Sequence, residues 1–592
     1  MTDHNLHPQV AVLDAGGQYC HLIARKVREL GVYADVRPSE TAAAQLASLK
    51  GIIISGGPAS VYEAGSPRVD PALFSCGVAV LGICYGQQLM AHLLGGKVRS
   101  GERGEFGLAH LETSVAAPLF EGLPAGGQVW MSHRDVVEAV PEGFQVLART
   151  ATCETAAIGN PSNRLYGLQF HPEVVHTHAG REILSNFLFH VAGCSRDWDP
   201  KHRIPIIEQR IREGVGDRSV FFFVSGGVDS TVAYTLCLRA LGPERVRGAY
   251  VDTGLMRHGE TAYVTQLFQQ IGAEAFSVEQ AAGRFLGPLD GVCDPEMKRR
   301  IIGEQFVEVQ ESVLESGHYL DGHWILGQGT IYPDTIESGG TSNAEVIKTH
   351  HNRVAGIQRL IEAGRIVEPL SSFYKDEVRE IGRELGLPPE FLHRHPFPGP
   401  GLAIRCLCTP SECPVRSTPD GWLVPVQSVG VQGDSRSYRP VLALDEFPEP
   451  ALDLHARATE LINQRRDVNR VITLVGSASP LGQMRVLPAA LSAARLASLR
   501  AADAIVRRLS HEQGFDQQVW QFPVVLIPLG RPDVPDSVVL RPVDSVDGMT
   551  AAAVPVPGDL LAAISRELLD LPEICAVFLD LTHKPPATIE WE

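Results

Sequence analysis

Three things are scarce in this 592-residue chain, and each absence closes off a class of protein. Positive charge is outnumbered: 52 Lys and Arg stand against 69 Asp and Glu, a net charge of −17. That balance disfavours non-specific attraction to nucleic acid or to an acidic membrane face. Long apolar runs are missing. No stretch reaches the roughly 18 residues of a membrane-spanning helix, and the N-terminal MTDHNLHPQVAVLDAGGQYC lacks a basic segment leading into an apolar one. A cytoplasmic protein is expected. Paired cysteines are also missing, since the 11 present are odd in number and scattered, so reduced thiols are the expectation.

What is present is ordinary globular composition, 44% hydrophobic and 20% charged, with 57 Gly and 41 Pro implying many turns. The length calls for about two to four domains. From Val10 to about Gly193, apolar runs (VAVLD, GIIIS, VAVLGIC, YGLQF) alternate with helical patterns such as Tyr19 to Leu30, as in an open α/β sheet. The polar SRDWDPKHRIP reads as a linker. RSVFFFVSGGVDSTVAYTLCLRALG is then a strand, a tight Gly turn and a helix, and VRGAYVDTG supplies a second parallel strand. The remainder looks like α+β with an internal echo. Leu423 to Asp434 resembles Gln521 to Leu529, and RVITLVG resembles ICAVFLDLT, which fits either a duplicated small domain or two unrelated meanders. The expected fold class is α/β: two open parallel-sheet domains over residues 1–195 and 196–405, followed by an α+β region over 406–592.

The stretch VAVLGICYGQQLMAHLLGG, from Val78, is a strand, a sharp turn with Gly82, Cys84 and Gly86, and a helix. This is a nucleophile elbow with Cys in place of Ser. The helix N-terminus favours the thiolate. Gln169-Phe170-His171-Pro172-Glu173 ends a strand with His171 and Glu173 two apart on one face. His171 would carry the proton, and Glu173 would set its tautomer. Ser55-Gly56-Gly57-Pro58 offers an oxyanion donor at the Gly57 N–H, with the Tyr85 N–H as the second. In this order the set resembles the class I glutamine amidotransferases over almost the whole first domain. That resemblance implies a Cys84 thioester, release of ammonia and glutamine contacts from Gln88.

Ser225-Gly226-Gly227-Val228-Asp229-Ser230-Thr231 lies between a strand and a helix, where the turn's N–H groups suit an anion. The Walker lysine is missing, which argues against γ-phosphoryl transfer. The pattern resembles the pyrophosphate loop of N-type ATP pyrophosphatases. This implies cleavage between the α and β phosphates, adenylation of a carbonyl oxygen, Mg²⁺ held with ATP in part by Asp229, and Asp252 at the nucleotide site. No tightly bound organic cofactor is expected.

KRRIIGEQF, QGTIYPDTIES, VIKTHHN, YKDEVREIG, RHPFPGPGLAIR, SVGVQGDSRSY and KPPATIEWE stand in the order and places of the GMP synthase family, and this resemblance spans nearly the whole chain. It implies a glutamine-hydrolysing ligase of guanine nucleotide synthesis that adenylates xanthosine monophosphate (XMP) and displaces AMP with ammonia. It further implies XMP held by Arg299, Asp434, Gln521, Lys584 and Glu590. Lys348, His350 and His351 would form a lid, and Asp334, Glu337, Lys375 and Asp376 would complete the adenylation site. The implied partners are glutamine, ATP and XMP, with no nucleic acid and no membrane, in a monomer or homodimer.

The chain departs from the family pattern at Ser132-His133-Arg134-Asp135, where Arg replaces the usual Gly. A positive φ there would cost about 1 kcal/mol or more. ESGGTSNAEVIK is shorter than in many relatives, and the C-terminal part resembles the family's long form. Cys406, Cys408 and Cys413 show no paired CxxC and no fourth ligand, so zinc is not expected there. His176 and His178 read as loop residues. Two other readings compete. An enzyme with another carbonyl acceptor, NAD synthetase-like or tRNA-modifying, leaves KPPATIEWE unexplained. A non-catalytic nucleotide sensor or scaffold has no use for Cys84, His171, Glu173 and Asp229 together.

Overall fold

The structure, a computed structural model, describes residues 8–592 other than 18, 64, 175, 199–202, 332–333, 335–354, 433–434, 446–451, 466, 546–550 and 585. The chain divides into two compact units, residues 1–206 with 332–344, and residues 207–331 with 345–592. Among the described residues no helix is long and apolar enough to cross a membrane.

The first unit is built on nine strands: β1 (Val10–Asp14), β2 (Ala34–Pro38), β3 (Gly51–Ile54), β4 (Ala79–Ile83), β5 (Lys97–Thr113), β6 (Gly126–Ala139), β7 (Gln145–Arg149), β8 (Ala157–Asn160) and β9 (Leu165–Leu168). Their order is β2-β1-β3-β4-β9-β8-β7-β5-β6. The first five in that order pair in parallel and the rest antiparallel, so the expected parallel sheet is extended by a meander and the long β5–β6 hairpin. The reason is visible along the strands. β1 is apolar from Val10 to Leu13 because both of its faces are covered: Val10 and Val12 join one core layer, Ala11 and Leu13 the other. β6 alternates buried and exposed residues over much of its length, the pattern of a strand packed on one face. The segment read as a linker is partly fastened to this unit. Trp198 stacks on Tyr33 at 4.8 Å and donates its N–H to the Gly31 carbonyl, and a helix already starts at Arg203.

The second unit opens with five parallel strands: β10 (Ser219–Val224), β11 (Val246–Asp252), β12 (Phe276–Gln280), β13 (Trp324–Gly327) and β14 (Ile366–Val367), in the order β12-β11-β10-β13-β14. A mixed seven-stranded sheet follows. Within it, Gly421–Gln432, Ser435–Leu444, the helix Leu452–Gln464 and Arg470–Ser477 form a hairpin, a helix and a strand parallel to the hairpin's second arm. Val524–Ile527, Asp536–Leu540, the helix Gly558–Leu569 and Ile574–Asp580 repeat that order. The last strands of the two halves pair antiparallel, from Ile472 against Asp580 to Ser477 against Ala576. The segments that echo one another in sequence are the first and last strands of each half. One apolar cluster runs from Val251, Leu255 and Phe285 through Leu402 and Cys406 to Leu526 and Leu579, so both sheets of this unit share a core.

A buried ion cluster ties the C-terminal tail to that sheet. Asp580 accepts from Arg470 at 2.9 Å, from Arg541 at 2.8 Å and from the Trp591 indole at 3.0 Å, with all three charged side chains 0% exposed. The two arginines also donate to the carbonyls of Thr588, Ile589 and Glu590. Burial and the neighbouring Arg541 push the Arg470 guanidinium down to about 9, whereas the two arginines hold Asp580 below its ordinary range against burial. Asp580→Asn leaves both guanidinium groups buried without a counter-charge and should destabilise this unit by about 3–5 kcal/mol. Denaturant unfolding measures it; a loss under about 1 kcal/mol would mean that water screens the cluster.

Candidate active sites

β4 runs directly into the turn at Cys84 and the helix Tyr85–Leu93. Cys84 stands at φ 53° and ψ −107°, a conformation that costs about 1–3 kcal/mol for a residue with a side chain. Its flanking glycines explain how the turn closes: a Cβ on Gly82 would lie 2.5 Å from the Gly86 carbonyl carbon, and one on Gly86 2.4 Å from the Ile54 carbonyl oxygen. The Cys84 N–H donates to Leu168 on β9 at 2.6 Å. The thiol sits 3.6 Å from the Ser132 carbonyl on β6 and 3.6 Å from Gln169 Nε2.

His171 is anchored through its backbone, its N–H donating to the Trp130 carbonyl at 3.0 Å and its carbonyl accepting from Thr177 Oγ1 at 2.6 Å. Its Nδ1 meets Glu173 Oε1 at 2.7 Å, with side chains 6% and 0% exposed. A carboxylate accepts, so Nδ1 donates and Nε2 is left for the thiol. Burial alone would lower the imidazole pKa, but Glu173 and the neighbouring Cys84 thiol outweigh it and hold it well above the ordinary value. Gly56 packs against both partners, since a Cβ there would stand 3.1 Å from His171 Cε1 and 3.6 Å from Cys84 Cβ. Gly57 lies against the end of β1, where a Cβ would come within 2.3 Å of the Ala15 carbonyl oxygen. Tyr85 donates its hydroxyl to Pro67 at 2.6 Å, and Gln88 donates its amide to the Asp135 carbonyl at 2.8 Å. Cys84, His171, Glu173, Gly57, Tyr85 and Gln88 thus gather at one place. Arg134 is exposed within β6, and the non-glycine residues with positive φ, among those described, are Cys84, Arg164 and His318. The strain considered for Arg134 is therefore not incurred, because an extended strand needs no left-handed residue.

In the second unit, β10 ends in Ser225-Gly226-Gly227 and the helix Val228–Leu241 begins. Gly226 takes φ 73°, and a Cβ on it would meet Val264 at 2.7 Å. The turn is closed by its own hydroxyls: the Gly227 N–H donates to Ser225 Oγ at 3.2 Å, and Ser230 Oγ lies 3.1 Å from both Ser225 Oγ and the Gly227 carbonyl. Val228 and Thr231 face the core. Both carboxylate oxygens of Asp229 meet Lys375 Nζ, at 2.7 and 2.6 Å, across 146 residues of sequence. Asp376, next in sequence, is exposed; Asp334, which belongs to the first unit, is also exposed. Asp252, at the end of β11, accepts from the Gly254 N–H at 3.0 Å and Thr261 Oγ1 at 2.7 Å.

The residues expected around XMP are brought together only in part. Glu590 accepts from Arg405 at 2.9 and 2.7 Å and faces Gln521 Nε2 at 3.4 Å. Arg299 donates to the main-chain carbonyl of Glu592 and pairs with Glu296 at 3.2 Å. The Glu592 side chain meets buried Lys298 at 2.7 Å, and burial, opposed by that lysine, pushes its carboxyl up to about 7. Lys584 is placed through its main chain, which pairs with Ala551. Asp434, Glu337, Lys348, His350 and His351 lie outside the described residues. Arg405 and Lys298 were quoted within motifs but not singled out, because a buried cation looks like a surface cation in sequence. Ser132, Asp135 and Gln169 were likewise quoted within motifs but given no contact with the elbow, because nothing along the chain shows that β6 backs it. Cys406, Cys408 and Cys413 are free thiols. His176 lies over the Trp130 ring at 4.7 Å, and His178 meets Gln128 at 3.2 Å.

A model of the class-I glutamine amidotransferases matches residues 11–191, and one of the GMP synthase C terminal domain matches residues 509–591. The chain is 41% identical over 609 residues to a probable GMP synthase (glutamine-hydrolyzing) of Leptospira interrogans, covering 99% of this chain and 100% of that protein. It is 40% identical over 597 residues to a GMP synthase (glutamine-hydrolyzing) of Caldicellulosiruptor saccharolyticus, again covering 99% and 100%. It is also 40% identical over 604 residues to that of Thermobifida fusca, covering 98% of each chain.

The raised pKa of His171 contributes stability that is fully present below the ordinary histidine value and is lost as pH rises through the raised one. Glu173→Gln removes a cause of the rise, so the His171 pKa should fall and the gap in melting temperature between wild type and variant should narrow as pH increases. Histidine NMR titration with thermal melts at several pH values measures both. An unchanged titration would mean that Glu173 does not govern the ring's charge.

Proposed function

The chain belongs to the glutamine-hydrolysing GMP synthases, and from that premise we propose how its residues divide the work. The enzyme converts XMP to GMP with glutamine as the nitrogen source, in an ATP-dependent reaction. Residues 1–195 form the glutaminase, 196–405 the ATP pyrophosphatase and 406–592 the XMP-binding region. The observation that carries this reading is the elbow at Cys84 beside the His171–Glu173 pair. Cys84 attacks the glutamine amide carbon, and the N–H groups of Gly57 and Tyr85 receive the oxyanion. His171 gives a proton to the leaving ammonia, then takes one from the water that hydrolyses the thioester to glutamate. Gln88 helps to hold glutamine.

In the second unit the turn from Ser225 to Thr231 cradles the pyrophosphate of ATP. The XMP C2 carbonyl oxygen attacks the α-phosphorus, pyrophosphate leaves, and ammonia then displaces AMP at C2. Asp229 fits a share in Mg²⁺ because that ion takes one or two carboxylates and fills its shell from phosphates and water; bound with ATP, it screens the triphosphate charge. Lys375, which holds Asp229 here, is then placed to meet phosphate oxygens. Asp252, Asp334, Glu337, Asp376 and the lid residues Lys348, His350 and His351 serve the adenylation. Gln521, Glu590, Arg299, Lys584 and Asp434 hold XMP. Ammonia in bulk water is mostly protonated, which is a chemical reason for keeping both reactions in one chain. The enzyme works in the cytoplasm, as a monomer or homodimer.

Following GMP and AMP formation from XMP, ATP and Mg²⁺ with glutamine or ammonium salt tests the assignment. Cys84→Ala should lose glutamine-driven synthesis by about 10³-fold or more and keep ammonium-driven synthesis. Asp229→Ala should lose both. Equal loss of both in Cys84→Ala would remove the cysteine from its role, and full activity of Asp229→Ala would remove the loop from nucleotide binding.

A further inference from the structure

Beside the glutaminase elbow, but outside its set of reacting residues, three side chains from separate elements converge. Glu105 comes from β5, His133 from β6 and Cys153 from the loop after β7. One ligand atom from each, a carboxylate oxygen, an imidazole nitrogen and a sulfur, lies within 4.8 Å of the others. His133 and Cys153 are 6% and 2% exposed.

The hydrogen bonds around the three leave a gap that a cation would fill. His133 Nδ1 lies 3.1 Å from the Asp135 carbonyl, which can only accept, so Nδ1 carries a proton. In the neutral ring Nε2 then presents its lone pair, and it faces Glu105 Oε2 at 3.3 Å while forming no hydrogen bond. Two acceptors thus point at one another in a buried place. Glu105 is oriented from behind by Thr150 Oγ1 at 3.1 Å, and that hydroxyl accepts the Cys153 N–H at 3.0 Å. A backbone carbonyl behind the histidine and a hydroxyl behind the carboxylate are the supports that metal ligands commonly receive.

We propose that Glu105, His133 and Cys153 form a binding site for one divalent cation of the zinc class. The sulfur and imidazole select a borderline-soft ion over Mg²⁺ or Ca²⁺. Carboxylate and thiolate together neutralise its charge, which suits a buried site. Zinc bonds of about 2.0–2.3 Å place tetrahedral ligands roughly 3.5 Å apart, so from a separation of 4.8 Å or less the farthest pair has to close by at most roughly 1.3 Å. Three protein ligands leave a fourth position for water. Binding joins β5 and β6 to the loop after β7, and β6 carries the Ser132 and Asp135 carbonyls that touch Cys84 and Gln88. The ion therefore stiffens one wall of the cysteine pocket without touching the thiol.

Cobalt(II) titration of the full-length, chelator-treated protein tests this. One equivalent should bind with a thiolate-to-cobalt charge-transfer band, and zinc should displace it while a large excess of Mg²⁺ should not. The band should vanish in Cys153→Ser, checked by melting for an intact fold, and persist in Cys84→Ala. Thr150→Ala should keep the band and weaken binding by about 10-fold or more. No band in the wild-type protein, or a band that survives Cys153→Ser, would overturn the site.

Discussion

Asp580 has two arginines on a single, fully buried carboxylate, and the C-terminal part of the second unit is organised around that fact. A buried ion cluster of this kind is costly to assemble, and its stability depends on every remaining donor finding a partner. Those partners are carbonyls of the last few residues, so the cluster dictates where Thr588, Ile589 and Glu590 run. Glu590 is then presented to Arg405 and Gln521, and Trp591 is driven wholly into the core. The C-terminal tail has little regular structure of its own; its position comes from charge.

The first unit holds backbone strain at its elbow. Cys84 holds a backbone conformation that few side chains tolerate, and the glycines at 82 and 86 let β4, β3 and the following helix approach closely enough to impose it. The His171–Glu173 pair is set by neighbours rather than by its own segment, through Trp130 on one side and Thr177 on the other. The same β6 strand that supports the thiol at Ser132 carries His133 toward Glu105 and Cys153, which couples the elbow's surroundings to the metal-ligand cluster.

Much of this was legible in the chain. The strand–turn–helix at Cys84 and that at Ser225 could be read because glycine spacing and buried apolar runs are local signals. The echo between Leu423–Asp434 and Gln521–Leu529 is a pattern of alternation, and the strands it marks occupy equivalent places in the two halves of the C-terminal sheet. The antiparallel extension of the first sheet was not legible, since β6 is buried on alternate residues and no local motif marks where it or β5 pairs. The packed role of Trp198 was hidden for another reason: an aromatic within a polar stretch shows no partner until Tyr33 is folded against it.

By itself the sequence determined the α/β class, the two strand–turn–helix units at Cys84 and Ser225 and the family, because all three rest on short-range spacing and on motifs in order. Only the tertiary structure decided that Lys375 meets Asp229, that Arg405 meets Glu590 and that Glu105, His133 and Cys153 share one buried place. Those pairings cross long stretches of chain. A charge or a thiol shows the same letter whether solvated or buried, and its burial and counter-charge are properties of the packed core alone.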